Sequence, residues 1–244
     1  MESEVTIASV ADFVSGLQQS GMARRLFRGQ NTDKCLLPRI MRLAKEKGIQ
    51  PQALENIERK MLERFRRESV AILPGARDLT SWELLSIAAH HGMPTRLLDW
   101  TGNALAALWF AVSADSPERE DCGVVWVVKL TSDNVKTPAA GDDVFAPKHT
   151  HFFQPFHSDP RIVAQSGWFS VYRHNRTEFL PLEKLVQFRP NLTRATIPRN
   201  HFSTIRRELR LMGIGQASMF PDLAGLGADI QAEFIDSWRG LRTI

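Results

Sequence analysis

The chain is short of cysteine, with only Cys35 and Cys122 in 244 residues. Two thiols without metal-ligand spacing exclude a disulfide framework and favour a reducing compartment. Long apolar runs are missing as well, and none approaches the ~20 apolar residues that a membrane-spanning helix needs. Met1, Glu2, Ser3 and Glu4 are not the basic start of a secretory leader, and they run into an amphipathic helix. These absences predict a cytoplasmic protein with no membrane partner. Gly/Ser linkers, low-complexity tracts and internal repeats are also lacking, so residues 1–244 are expected to form a single domain. Excess charge is small: the net charge is +4. Such mild basicity permits anionic partners without requiring them. Between Gln52 and Ala71 the basic residues Arg59, Lys60, Arg64, Arg66 and Arg67 alternate with Glu55, Glu58, Glu63 and Glu68. Glu55 and Arg59 stand four apart, as do Glu63 and Arg67. The pattern predicts a solvated, internally paired helix face and not a nucleic-acid stripe.

What is present is periodic. Ser9 can cap a first helix over about 9–19 with Val10, Phe13, Val14 and Leu17 on one face. A strand then ends in Leu26, Phe27, Arg28, Gly29 and Gln30. Trp82, Leu84, Leu85, Ile87 and Ala88 repeat with helical spacing, and Asn103 can cap a further helix through Leu105, Leu108, Trp109 and Val112. Gly123 to Val128 reads as a β-branched strand covered on both faces. Trp168 to Tyr172 reads as another, with Asn175 turning the chain beyond it. Ile205, Leu209 and Met212 share a helix face that closes at Gly213, and a last helix carries Leu223, Leu226, Ile230 and Phe234. Residues 131–160 lack periodicity and are rich in Pro, Asp and His, the composition of a lid or a poorly ordered insertion. The expected fold class is α+β, with a small mixed or antiparallel sheet core and several flanking helices.

Two clusters ask for more than packing. His90 through Thr101 crowds polar and ring residues between two apolar helices. Gly92 ends the first helix, and Pro94 prevents its continuation. In the extended stretch that follows, Leu97 and Leu98 can aim Arg96 and Asp99 at a fixed place, although an Arg96–Asp99 pair that merely ties the connection down is the simpler reading. Upstream, Gly29 permits close approach of a ligand, and the Arg28 fork can grip a carboxylate or phosphate.

Together these clusters resemble the FRG domain, a family named for a Phe-Arg-Gly motif, here Phe27, Arg28 and Gly29. Arg161 to Phe169 is similar to a third marker of that family, and Leu211 to Ile214 with Ser218 to Leu223 to a fourth, so the resemblance runs from about residue 20 to about 230. Ala89 departs from the family's Gln before the His pair. The resemblance implies a fold like the ADP-ribosyltransferases, with NAD as substrate. Arg28 then matches the basic residue that holds NAD on the first core strand, and Thr95 the hydroxyl residue of the second. The position of the later Glu is taken by Gln165. Cleavage of nicotinamide from NAD builds positive charge on the ribose. A Gln can accept the 2′-hydroxyl bond but supplies no charge, at a loss of several kcal/mol. Asp99, Glu83 and Glu178 are the candidates for the missing carboxylate. The implied catalytic set is Arg28, Thr95, Asp99 and Gln165. Phe27, Arg28, Gly29, Gln30, His91, Thr95, Arg96 and Trp100 are implied to bind the substrate.

Other features read more plainly. Adjacent helical residues point about 100° apart, so His90 and His91 cannot both face one small site, and His91 is the better candidate. His149, His151, His157 and Asp159 have the composition of a metal site but not its spacing, and no metal is expected. Phe145, Phe152, Phe153 and Phe156 can close over a ligand, dock a partner or simply be buried. Asp222 complements a helix dipole and would oppose a phosphate there. Two functions remain. One is an NAD-using transferase or glycohydrolase, a toxin or defence effector with a nucleic-acid or protein acceptor and an antitoxin partner. The other is a non-catalytic module that recognises a nucleotide or nucleic acid in the same pocket. A metal-dependent nuclease ranks a distant third.

Overall fold

The computed structural model describes residues 3–19, 21, 23–73, 75–113, 122–139, 141–156 and 160–236. Its strands are β1 (Ser3–Thr6), β2 (Arg25–Gln30), β3 (Leu97–Thr101), β4 (Cys122–Lys129), β5 (His151–Phe153), β6 (Gly167–Val171) and β7 (Leu192–Pro198). They form one seven-stranded sheet in the order β1-β7-β4-β2-β3-β6-β5. Only β1 and β7 run parallel. The class is α+β, as the periodicities imply, but the sheet is not small. The helices are α1 (Val10–Gln19), α2 (Arg39–Glu46), α3 (Pro51–Ser69), α4 (Ser81–His90), α5 (Ala104–Val112), α6 (Pro160–Ala164), α7 (Phe202–Leu211), α8 (Gln216–Met219) and α9 (Leu223–Gln231).

Local chemistry sets the helix ends that matter. Asn103 Oδ1 accepts from the Leu105 and Ala106 amides at the start of α5. Thr80 and Glu83 form a reciprocal capping box on α4. Gly92, at φ +85°, supplies the left-handed residue that lets the chain leave α4.

Alternation along the strands sorts the core. Phe27, Val125, Val127, Ala195 and Ile197 face α1, α5 and α7. Leu26, Val124, Trp126, Val128, Leu98 and Trp100 face the other way, onto α2 and Leu54 of α3. β4 is buried on both faces because it lies inside the sheet between β7 and β2. A third cluster packs Trp82, Leu84 and Leu85 of α4 against Leu97, Phe169, Val171 and Phe153. Leu97, Asp99 and Thr101 share a face, and Thr101 pairs directly with Phe27. One face of the sheet is therefore covered by α5 over β2 and β4 and by α4 over β5 and β6. Asp99 stands between the two covers.

The described residues between 131 and 156 are tied to the sheet. Within them Val135 bridges to Phe152, the Phe152 amide donates to the Asn134 carbonyl while its own carbonyl accepts from the Lys136 amide, and β5 joins the sheet edge. Phe145, Phe152 and Phe153 are buried, and Phe156 is exposed. Burial, not ligand closure, accounts for three of the four rings. His157 and Asp159 lie outside the described residues, and no group of three or more candidate metal ligands occurs among the residues that are described.

The close seat of α5 depends on two glycines. A Cβ on Gly29 would lie 1.8 Å from the Ala107 carbonyl oxygen, and one on Gly123 would lie 2.3 Å from that of Ala111. Gly29 thus admits the close approach of a helix. Gly123→Ala is expected to lift α5 and destabilise the fold by about 2–3 kcal/mol, the cost of overpacking a filled core. Urea unfolding of the variant checks this; a loss below about 0.5 kcal/mol would mean that α5 is not held against β4.

Candidate functional site

Continuing the β2–β3 register beyond Phe27 and Thr101 would oppose Gly29 to Asp99, but the ladder stops at that single pair. Arg28 fills the break. Alternation puts its stem on the face of Leu26, yet its Nη1 donates to the Asp99 carbonyl oxygen at 2.7 Å and lies 3.6 Å from Asp99 Oδ2. The Arg28 side chain is only 18 % exposed, whereas that of Asp99 is 76 % exposed. Burial lowers the affinity of the guanidinium for its proton, and Asp99 counters this. The group remains a cation because arginine starts so high.

A cleft of about 300 Å³ opens here, bordered by Phe27, Arg28, Gly29, Asp99, Trp100, Thr101, Phe110, Gln165 and Phe220. Phe110 and Phe220 meet edge to face at 6.2 Å. Gln165, just after α6, donates its side-chain amide to the Met219 carbonyl at 3.1 Å, which leaves Oε1 to accept from a ligand. Thr101 is committed: its hydroxyl donates to the Gln165 carbonyl and accepts from the Asn103 amide at 2.9 Å. Arg161 pairs with Asp222, which also caps α9, so the third and fourth markers are tied together beside the cleft. Asp222 is held below the usual carboxylate range by the Gly225 amide and by Arg161.

Residues 23–120 match the family model of the FRG domain. That span, less than half of the chain, is similar to the FRG domain. Comparisons with curated proteins and with solved structures gave no match. The matched span holds Phe27 to Gly29 and His90 to Thr101 and stops before the other two segments of the resemblance. The fold nevertheless brings residues from all four to one cleft.

Of the residues singled out from sequence, Phe27, Arg28, Gly29, Asp99, Trp100 and Gln165 border the cleft, although the Trp100 indole packs in the opposite face and donates to Ser170 Oγ at 3.0 Å. Thr95, Arg96, Gln30 and His91 do not border it. Thr95 is buried, and its Oγ1 accepts from the Leu97 amide. Thr101, not Thr95, is the hydroxyl residue at the cleft. Gln30 extends the face opposite α5. His91 is the exposed C-cap of α4, its ring 5.3 Å from that of His90. Of the three candidate carboxylates only Asp99 is at the cleft. Glu83 is spent on the capping box, and Glu178 borders another cavity. Thr101, Phe110 and Phe220 were not assigned to the site from sequence; period-2 alternation from Leu97 was the signal available for Thr101.

Arg96 pairs with Glu58 and not with Asp99. Both side chains are fully buried, with Arg96 Nε 2.8 Å from Glu58 Oε2 and the Arg96 amide donating to Oε1 at 2.6 Å. His174 Nε2 lies 3.1 Å from Oε2, and Arg96 Nη1 donates to the Phe145 carbonyl at 3.1 Å. α3 does carry the Glu55–Arg59 pair, but Glu58 is no part of a solvated face. Burial alone pushes the Glu58 carboxyl up, but the His174 hydrogen bond and the charges of Arg96 and His174 outweigh it and hold the carboxyl below its ordinary value. A depressed carboxyl stabilises the fold above its unfolded value of ~4.3, and that contribution disappears as pH falls through the lower folded value. Glu58→Gln is expected to cost about 3–5 kcal/mol at pH 7 by leaving Arg96 buried without a counter-charge. It should also flatten the acid limb of the stability curve. Denaturation followed between pH 2 and 7 checks both effects, and an unchanged acid limb would sink the assignment.

Proposed function

We propose that this protein binds NAD at the cleft and acts as an ADP-ribosyltransferase, moving ADP-ribose to nucleic acid or protein or releasing it to water. The observation that carries the reading is the convergence of a positioned cation and an exposed carboxylate, Arg28 and Asp99, at the break in the β2–β3 ladder. Phe110 and Phe220 form an apolar wall beside them. At about 300 Å³ the cleft suits one nucleoside-sized half of NAD. In this reading Arg28 grips the pyrophosphate bidentately. Gln165 Oε1 accepts a ribose hydroxyl. Asp99 supplies the negative charge that Gln165 lacks, opposite the cation that develops as nicotinamide leaves. An ADP-ribosyltransferase-like arrangement of the sheet, and a role as a toxin or defence effector with an antitoxin partner, belong to the same proposal.

A second reading, recognition without turnover, is favoured by the internal commitment of the Thr101 hydroxyl and by the uncharged Gln165. Labelled NAD, incubated with the protein alone and with cell lysate, separates the two. The transferase reading expects nicotinamide release and label transfer. Arg28→Ala should abolish binding, and Asp99→Asn should lower turnover about 10²–10³-fold with little change in affinity. NAD binding with no release under any condition would leave the recognition reading standing. An affinity that Arg28→Ala does not change would remove NAD from this cleft.

A further inference from the structure

A second and larger cleft, about 720 Å³, shares no bordering residue with the cleft at Arg28 and is bordered by the segments 145–150 and 172–187 together with Met41 and Glu55. It adjoins a smaller hollow of about 280 Å³ on α3 that shares Glu55, His174 and Arg176. Together they have the size of a small-molecule site.

Its chemistry is divided. Met41, Pro147, Leu180 and Leu185 supply apolar surface. Arg173 and Arg176 border it with exposed side chains that have no partner among the described residues. Their backbone is fixed all the same. The Arg173 amide donates to Thr150 Oγ1 at 3.1 Å, and Asn175 Oδ1 accepts from the Thr177 amide and hydroxyl at 3.0 and 2.8 Å. Of the acids at the cleft, Glu55 is occupied by Arg59 and Glu178 stands exposed, so the unpaired side chains leave a cationic excess.

His174 is the most informative member. Its side chain is 4 % exposed, and Nε2 meets the Glu58 carboxylate. Glu58 stays ionised under the pull of Arg96 and His174 and must accept, so Nε2 carries the proton. Nδ1, without a partner among the described residues, is then left to hydrogen-bond a ligand from a ring whose orientation the buried carboxylate fixes. A carboxylate that orients an imidazole beside a cavity is a positioned recognition element, as it is for metal-bound and catalytic histidines.

We propose that this second cleft binds a phosphorylated small molecule of mononucleotide size, with Arg173 and Arg176 on its phosphate, His174 Nδ1 hydrogen-bonded to a sugar hydroxyl, and the apolar surface beneath its ring. This site is separate from the cleft at Arg28 and does not depend on the reading given to that cleft.

Calorimetric titration of the whole protein with AMP, adenosine and inorganic phosphate tests the assignment. AMP should bind, and Arg173→Ala with Arg176→Ala should weaken it at least about tenfold, the loss expected when charge-assisted contacts to phosphate are removed. Adenosine should be weaker than AMP by a similar factor, and Arg28→Ala should leave AMP affinity within about twofold. Both replaced arginines are exposed, so the double variant should keep the parent's unfolding midpoint. The proposal is overturned if AMP does not bind, if adenosine binds as well as AMP, or if Arg28→Ala abolishes AMP binding while the double variant does not.

Discussion

The buried Glu58–Arg96 pair is the constraint on which the site side of the molecule depends. Removing two ions from water costs several kcal/mol per ion, and the cost is offset only when geometry and additional hydrogen bonds are good. Here Glu58 accepts from the Arg96 amide and Nε and meets His174 Nε2, while Arg96 donates onward to the Phe145 carbonyl. The Phe145 ring lies between the guanidinium groups of Arg96 and Arg59, at 4.8 and 4.4 Å. Four chain segments distant in sequence are thereby clamped at one point: α3, the residue before β3, the loop at 145 and the loop at 174. Because β3 begins at Leu97, fixing Arg96 fixes the register from which Asp99 and Thr101 project.

The other fixed element is α5. It can approach β2 and β4 so closely only because Gly29 and Gly123 present no Cβ to the carbonyls of Ala107 and Ala111, one helical turn apart. With α5 seated on one side and α4 on the other, the sheet face between them is left uncovered at Asp99. The cleft is therefore a consequence of two helices each packed in the best available place, and α6, α8 and Phe220 close its end through Gln165 and the Arg161–Asp222 pair.

Much of this was legible in the residues, and the limits were physical. Helix ends at Asn103 and Gly92 follow from local side-chain or backbone chemistry, which is why they can be read from neighbours in sequence. The convergence of Arg28, Asp99 and Gln165 could be anticipated only through the resemblance, since periodicity says nothing of which strands lie together. What the sequence hid was long-range pairing. Glu58 looks like one more acid on a charged helix, and its burial depends on Arg96, 38 residues away. Arg96 in turn looked available to Asp99 because both sit in one short motif, although their side chains project from opposite faces of the strand path. β1 escaped notice because a four-residue edge strand has too short a pattern to show alternation, and its parallel pairing with β7 is nonlocal. The 131–156 stretch looked unstructured because its order comes from buried rings and one short edge strand, not from a repeating period.

Three of the five buried polar side-chain atoms without a hydrogen-bond partner among the described residues lie around Arg28. Arg28 Nε, Gln30 Oε1 and Trp126 Nε1 are buried with no hydrogen-bond partner among the described residues. Arg28 stands directly opposite Trp126 across the β2–β4 ladder, and Gln30 is two residues along the same face. An unsatisfied buried group costs on the order of 1–3 kcal/mol, and a stability-driven sequence would fill these positions with the aliphatic residues found at Leu26, Val124 and Val128 around them. Natural chains depart from such consistency mainly at functional sites. Apart from Arg96 Nη2 and His151 Nε2, which lie elsewhere, the departure gathers around one arginine, whose stem crosses from this face to the break in the β2–β3 ladder. An aliphatic residue at position 28 would suit the core better and would leave the Asp99 carbonyl without its donor and the cleft without its cation. The polar cost on one face of the sheet and the positioned charge on the other thus arise from the same side chain.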